Sequence, residues 1–560
     1  MKKKFLAAIL SVCLTGAGLL GGCQAPDASG SFADASSAVS GVSADSGKDG
    51  SGDASQDDSA SGISKDGSSG QNGQNSGQEK DEDAEYADLH YRRVSVHDPS
   101  VIKADGTYYI FGSHRAWAKS DDLISWDNIA NNLNAEYKTM FTDLWENYCK
   151  TDTNPDIQGN MWAPDIIYND TMGKYCMYMS INGDDWNSAI VLLTADEITG
   201  PYTYIGPVVF SGFNTSNHPA EYTDVYQVLG EGADLTRYQS TKDTKINAID
   251  PCVKYDEEGN LWMAFGSWFG GIYMLKLDPA TGLRDYSVTY ETAADSSDAY
   301  YGYKIAGGHE VSGEGPYIIH TNGYYYLFLS YGGLTASGGY QMRVFRSEQI
   351  TGPYTDQNGN PAIFTKSANN LFEKNGIRLM SSYSWSGSPD IYAAQGHNSA
   401  LVDDDGRIFL VYHTRFSNRD EQHQVRTHQL FVNEDGWLVA APYEYAGESL
   451  PENGYAKDKV CGEYEFITHL QTAYFQSTDM GNVGVVKAKT ISLNEDGTVT
   501  GEDNISGSWS YSEDSPKMSI TIDGVTYQGY FVEMPNEGSH KIVMTFTALG
   551  DNVCVWGSKI

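Results

Sequence analysis

A short apolar and aromatic run, opened by a glycine turn, recurs five times along the chain. Gly106 leads into Thr107-Tyr108-Tyr109-Ile110-Phe111-Gly112-Ser113, and Gly173 into Lys174-Tyr175-Cys176-Met177-Tyr178-Met179-Ser180. Gly259 is followed by Asn260-Leu261-Trp262-Met263-Ala264-Phe265-Gly266-Ser267, and Gly323 by Tyr324-Tyr325-Tyr326-Leu327-Phe328-Leu329-Ser330. The fifth run is Gly406-Arg407-Ile408-Phe409-Leu410-Val411-Tyr412-His413. Each reads as the second strand of a hairpin, because a glycine turn between two apolar runs is a hairpin signal. The glycines are spaced by about 65–85 residues, the size of a propeller blade, and repetition at such a period is the mark of a radial fold. Ile198-Thr199-Gly200-Pro201-Tyr202 and Ile350-Thr351-Gly352-Pro353-Tyr354 repeat as outer-strand signals. The pattern predicts an all-β fold, a five-bladed β-propeller over residues 87–446, against an irregular sandwich or β-helix as the alternatives.

From about residue 450 the period changes. Val485 to Ile491, Ser506 to Tyr511, Met518 to Ile522 and Val525 to Phe531 alternate at strand period, with Asp523-Gly524 as a two-residue hairpin turn. Residues 450–560 are predicted to form a small antiparallel, lipocalin-like β-barrel that either binds glycan or buttresses the propeller.

In a propeller the first strand of each blade lines the axis, so the leading ends of five strands converge. Eight or nine residues before the turn glycines stand Asp98, Asp165, Asp250, Glu314 and His397. An Asp before Pro is a common turn former, which accounts for one or two of these positions and not for five. Carboxylates held together raise one another's pKa, and such a ring resembles acid–base machinery. Glycoside hydrolysis needs two carboxylates astride a bond, one protonated and one ionised. His309-Glu310 begins like a zincin motif, but Gly313 stands where the second histidine belongs.

Composition sharpens the choice of partner. Among 560 residues there are 37 Lys and Arg against 74 Asp and Glu, a formal charge of −37. That argues against a nucleic-acid partner, which needs a basic face. The 39 tyrosines and 59 glycines suit strands, turns and sugar-stacking faces. Residues 1–22 read as an export signal: Lys2-Lys3-Lys4, then an apolar stretch from Phe5 to Leu20 too short for a comfortable membrane span. It ends in Leu20-Gly21-Gly22-Cys23, which resembles a lipobox and implies a lipid on Cys23. Residues 23–86 are a Ser/Gly/Asp-rich linker unable to bury a core, a tether with a span of roughly 40–45 Å. The chain is thus expected outside the cell, anchored to the outer face of a bacterial membrane, as a monomer. Of seven cysteines, Cys149, Cys176, Cys252, Cys461 and Cys554 show no CxxC pairing and read as small buried hydrophobes.

The ordered set His97-Asp98-Pro99-Ser100, Trp162-Ala163-Pro164-Asp165, Asn247-Ala248-Ile249-Asp250-Pro251, Ser312-Gly313-Glu314-Gly315-Pro316 and Gly396-His397-Asn398-Ser399 resembles glycoside hydrolase family 43. Within it the sequence is most similar to the extracellular endo-α-1,5-L-arabinanases with a C-terminal β domain. The resemblance implies inverting hydrolysis of internal α-1,5 bonds of arabinan. It makes Asp98 the general base, Glu314 the general acid and Asp250 the carboxylate that orients the acid and, by its charge, keeps it protonated. It makes His397 the axial residue beside a Ca2+ ion held largely through water. Trp162, Gly183, Asn247, Ala248, Ile249, Ser267, Trp268 and Phe269, with Asp98 and Asp250, become the substrate-binding set. Asp165 reads as a structural or subsite residue rather than a catalyst, and Arg415 as a partner of an axial carboxylate or a member of a solvated or structural ion pair. The segment Asp184-Asp185-Trp186-Asn187 is longer and more acidic than the family pattern. The competing readings are an exo-acting α-L-arabinofuranosidase or β-xylosidase of the same family, a retaining fructan-cleaving enzyme, and a glycan-binding surface lipoprotein without catalysis.

Overall fold

The computed structural model describes residues 85–183, 187–213, 219–239, 245–336, 338–366, 374–470 and 484–560. The signal, Cys23, the linker up to residue 84 and residues 184–186 lie outside the described residues.

Five antiparallel sheets form a five-bladed propeller. Their axis-lining strands are Ser100–Ala104, Met161–Asn169, Cys252–Tyr255, Glu314–Thr321 and Tyr392–Val402. The five glycine-led runs are the second strands of the blades, as predicted: Thr107–Phe111, Lys174–Asn182, Leu261–Phe265, Tyr324–Tyr331 and Ile408–Phe416. Two of the turns are two-residue hairpins. Asp105-Gly106 joins the pair Ala104 and Thr107, and Asn322-Gly323 joins Thr321 and Tyr324. Both turn residues have positive φ in each case (50° and 83°, 52° and 74°), the backbone that matches the twist of the flanking strands.

The strands are apolar on both faces where they are sandwiched between blades. Every residue of Ser188–Ala195, the third strand of blade two, is buried. Each axis strand packs on the next, and Tyr392–Val402 packs back on Ser100–Ala104. The axis, second and third strands of every blade come from one consecutive segment, so the ring is closed by side chains and by a backbone bond from Val425 N to the Val94 carbonyl (3.0 Å) rather than by a shared strand. Lys103 Nζ meets Asp403 Oδ1 at 2.5 Å, and the Tyr108 hydroxyl donates to Asp403 Oδ2 at 2.6 Å. The two repeated Ile-Thr-Gly-Pro-Tyr segments adopt one conformation, with the tyrosine hydroxyl donating to the isoleucine carbonyl in both (Tyr202 to Ile198, 2.9 Å; Tyr354 to Ile350, 2.8 Å).

The C-terminal strands close into an eight-stranded barrel, from Gly462–Thr468 to Val553–Lys559, which pair with each other. Alternation sends Phe466, Phe531, Phe546 and Val555 into its interior, which side chains fill. Their neighbours Ile467, Val532 and Trp556 point the other way, into a core shared with Tyr383, Trp385 and Tyr443 of the propeller. Val486–Lys487 also pairs, in parallel, with Tyr383–Ser384 of the fifth blade's sheet. Trp556 Nε1 donates to the Ala440 carbonyl at 2.9 Å. The barrel therefore buttresses the propeller. The five cysteines of the described residues are all free; Cys149, Cys176, Cys252 and Cys554 are buried as expected, whereas Cys461 is only half-buried.

Because the two domains share one core, truncating its largest side chain should weaken both. Trp556→Ala is expected to cost about 3–5 kcal/mol. Denaturant unfolding of wild type and variant should show one cooperative transition that shifts as a whole, and a barrel transition moving alone would contradict the shared core.

Candidate active site

Five residues at the leading ends of the axis strands share a left-handed backbone: Asp98 (φ 53°), Ala163 (40°), Asp250 (58°), Gly315 (57°) and His397 (41°). Left-handed backbone is costly for residues other than glycine and is tolerated best by Asp and Asn. Such a residue is turned out of its ladder, so its N–H needs another partner. In all five cases a side chain of the preceding blade provides it. Asp98 N donates to His413 Nδ1 at 3.4 Å, Ala163 N to Ser113 Oγ at 2.8 Å and Asp250 N to Ser180 Oγ at 3.0 Å. Gly315 N donates to Asp250 Oδ2 at 3.1 Å and His397 N to Ser330 Oγ at 2.7 Å. The chain of hand-offs runs once around the axis and closes.

This ring corrects one expectation. Counting back from the turn glycines put Asp165 and Glu314 in the same place as Asp98. A break in register between Trp162 and Asp165 shifts the count, as does one between Glu314 and Tyr317. The residue equivalent to Asp98 in blade two is Ala163, which has no chemistry to offer. Asp165 is buried two residues further on, where it accepts from Ser100 Oγ at 2.5 Å and Val253 N at 2.6 Å and ties three blades together. In blade four the equivalent residue is Gly315. A Cβ there would come within 3.0 Å of the His397 ring, so only glycine lets the blades approach and leaves Glu314, one residue earlier, facing the site.

Asp98, Asp250 and Glu314 stand at the leading ends of the first, third and fourth axis strands, and their environments separate them. Burial favours the neutral form of all three carboxyls. At Asp98 this is outweighed by imidazoles: His397 Nδ1 lies 3.1 Å and His97 Nδ1 2.8 Å from Oδ1, and Ser113 Oγ donates to Oδ2 at 2.5 Å. Its pKa is held well below the ordinary range. Asp250 is pushed up to about 8, first by burial and then by the charge of Asp98. Glu314 is pushed up to about 7, first by burial and then by Asp250. The expected charge effect of Asp250 on Glu314 is present, but it is secondary to burial, and Asp250 is itself pushed toward its neutral form.

Glu314 is held at both oxygens. Trp268 Nε1 donates to Oε2 at 2.8 Å, with Ser267 Oγ at 3.3 Å from the same atom. The Tyr340 hydroxyl donates to Oε1 at 2.8 Å. Trp268 and Ser267 were singled out in the sequence as substrate contacts, and the structure brings them onto this carboxyl. Tyr340, Ser113, Ser180, Ser330, His97 and His413 were not singled out. Four of these six close the repeated glycine-led runs of the sequence, so the recurrent final Ser or His of each run was the available signal.

The remaining predicted residues fall into two groups. Trp162 and Phe269 are half-buried. The indole of Trp162 is fixed by a bond from Nε1 to the Gly159 carbonyl (2.7 Å), and Lys245 Nζ lies 5.2 Å from the Phe269 ring centre. Asn247, Ala248 and Ile249 are buried behind Asp250. Asn247 Oδ1 accepts from Ser188 Oγ at 2.6 Å and Ala248 N donates to Ser211 Oγ at 2.8 Å, so they support the strand end. Gly183 is required by packing, since a Cβ would meet the Cys149 carbonyl at 2.1 Å. Arg415 lies 3.9 Å from Glu421 and forms the peripheral ion pair.

Comparisons with known proteins agree with this architecture. The profile of glycosyl hydrolases family 43 matches residues 92–221 and 230–438, and that of a C-terminal lipocalin-like domain matches residues 442–557. An extracellular endo-α-(1→5)-L-arabinanase of Thermotoga petrophila is 38% identical over 84% of this chain and 94% of its own length. Extracellular endo-α-(1→5)-L-arabinanase 2 of Bacillus subtilis is 37% identical over the same shares. The crystal structure of the endo-1,5-α-L-arabinanase from Thermotoga petrophila superimposes with a TM-score of 0.70 at 36% identity, covering 84% of this chain and all of that one. With both domains matched in order, and with one carboxyl near the propeller axis driven toward its ionised form and another toward its protonated form, the chain belongs to glycosyl hydrolase family 43.

Proposed function

We propose that the chain is an endo-acting α-1,5-L-arabinanase that inverts configuration. The observation that carries this reading is the opposite tuning of Asp98 and Glu314. A general base must be ionised and a general acid protonated at the same pH, and the two carboxyls are driven apart in those directions. Endo action is supported by the relatives matched across both domains, which are named endo-arabinanases. An exo-α-(1→5)-L-arabinofuranosidase of Cellvibrio japonicus is 26% identical and matches 62% of this chain.

Asp98 takes a proton from water, and the oxygen of that water bonds to the anomeric carbon. Glu314 gives its proton to the glycosidic oxygen as that bond breaks, so the electron pair leaves with a neutral hydroxyl. Asp250 holds Gly315 N and keeps the neighbouring Glu314 in register and protonated. The half-buried faces of Trp162, Trp268 and Phe269 suit stacking on arabinose rings.

Linear arabinan should give a ladder of oligosaccharides early in digestion, with the newly released reducing end in the β configuration by NMR. Early accumulation of arabinose alone, or an α product, would overturn the reading. Asp98→Ala is expected to lose roughly 10²–10⁴-fold or more on every substrate. Glu314→Ala should lose far less on an aryl arabinoside with a good leaving group than on arabinan. Asp250→Asn removes the carboxyl whose charge adds, after burial, to the upward push on Glu314, so the Glu314 pKa falls modestly and the alkaline limb of the pH profile moves a little to lower pH.

We infer, further, a hydrated calcium ion beside His397. Nδ1 of His397 is taken by Asp98, which leaves Nε2 for a ligand. Calcium prefers six to eight oxygens. Asp98 is already engaged by His97, His397 and Ser113, so the ion keeps most of its shell as water. When bound, the ion supplies positive charge that favours ionised carboxylates nearby. Among the described residues, the group of side chains able to converge on one metal is His97, Asp98 and His413, but His413 Nδ1 is already the acceptor for Asp98 N. Elemental analysis of undialysed protein should find one bound divalent ion, lost in His397→Ala. A metal-free, fully active preparation excludes it.

The anchor is inferred from Leu20-Gly21-Gly22-Cys23 and the tether that follows. The relatives named above are extracellular enzymes by name, and this chain is inferred to act outside the cell as a membrane-held monomer. Cys23→Ala should release the protein into the medium, and unchanged membrane retention would exclude the lipid.

A further inference from the structure

Glu314 has two oxygens and three donors around it, and those donors are not equivalent. The indole N–H of Trp268 has no lone pair to offer and can only donate. It points at Oε2 from 2.8 Å. A proton placed on Oε2 in that direction would face the indole hydrogen. Oε2 therefore accepts from Trp268 in both protonation states, and its one rotatable neighbour, Ser267 Oγ, stands farther off, at 3.3 Å. Oε1 faces the hydroxyl of Tyr340 at 2.8 Å, and a hydroxyl can turn from donor to acceptor.

We propose that the transferable proton of Glu314 resides on Oε1 and that Tyr340 is the positioning residue that follows it, accepting from the acid before transfer and donating to the carboxylate afterwards. The inference rests on the reading of Glu314 as general acid. Tyr340 is built for that task. It is 2% exposed and comes from blade four itself, just before the third strand Gln341–Ser347. Its ring packs on the fifth blade. A Cβ on Gly396 would lie 2.4 Å from the ring, so glycine is required there, and His413, the cross-strand partner of Gly396, stacks on the ring at 6.1 Å between centres. The phenol is held protonated, by burial and then by the charges of Glu314 and Asp98. It loses no proton in the cycle. Glu314 Oε1 releases H⁺ to the glycosidic oxygen, the C–O bond breaks with its electron pair on that oxygen, and the Tyr340 hydroxyl rotates to donate to the new carboxylate. Solvent returns the proton.

Tyr340 acts through Glu314, so its removal should matter in proportion to the help the leaving group needs. The test uses Tyr340→Phe, Trp268→Phe and Glu314→Ala in the full chain, on arabinan and on aryl α-1,5-arabinooligosides whose phenols span a range of acidity. Tyr340→Phe should lose roughly 10–100-fold on arabinan, the cost of a hydrogen bond to a charged group. The loss should appear in kcat, with KM within about twofold, and fade toward the most acidic phenol. Equal loss across the series, or loss confined to KM, overturns the role. If Tyr340→Phe does not fold, by circular dichroism, Trp268→Phe decides. With Oε2 released from its donor, the same sloping loss is expected, and a flat loss refutes the assignment of the two oxygens. A flat response of Glu314→Ala itself would instead show that Glu314 is not the acid, which separates failure of that reading from failure of this one.

Discussion

Five backbone N–H groups at the propeller axis constrain most of what this protein does. Each belongs to a residue turned into left-handed backbone at the head of its strand; four of these residues are buried and His397 is half-buried. Leaving such a donor unmet costs roughly 1–3 kcal/mol. Here every one is met by a side chain of the preceding blade: Ser113, Ser180, Asp250, Ser330 and finally His413, which closes on Asp98. Because no strand is shared between the first and last blades, these bonds help to hold the ring shut. The same bonds fix where Asp98, Asp250 and His397 point, so ring closure and site geometry are one constraint.

The site also shows how one burial can have opposite outcomes. Asp98 and Glu314 are both withdrawn from water, which alone would neutralise both. Two imidazoles within about 3 Å reverse that at Asp98. Glu314 has an indole, a serine and a phenol, which are neutral donors, and a neighbouring carboxyl at Asp250. Neutral donors stabilise an anion less than a cation does, so burial prevails. The distribution of histidines around the axis thus decides which carboxyl is which.

The barrel contributes at a distance. Its interior is filled by its own side chains, and its outer face shares a core with the last two blades. The last of those blades carries His397 and His413, two of the groups that hold Asp98.

Much of this was legible in the chain. The five glycine-led runs fix the blades, because a strand buried on both faces must be apolar throughout and a tight hairpin needs positive φ. Asp523-Gly524 and the alternation after residue 485 specify the barrel in the same way. Asp98, Asp250, Glu314 and His397 stand out because local spacing places them at strand ends. Spacing from the turns misplaced Asp165, since an extra residue in a strand is invisible to counting. The proline after the twisted residue keeps the true register (Pro99, Pro164, Pro251, Pro316). The roles of Ser113, Ser180, Ser330, His413 and Tyr340 required the fold, because each acts on a residue about 15–315 positions away, across a blade boundary or a strand. Local pattern dictates elements and their ends. Which side chain meets which buried donor depends on how the ring closes, and only the tertiary structure decides that.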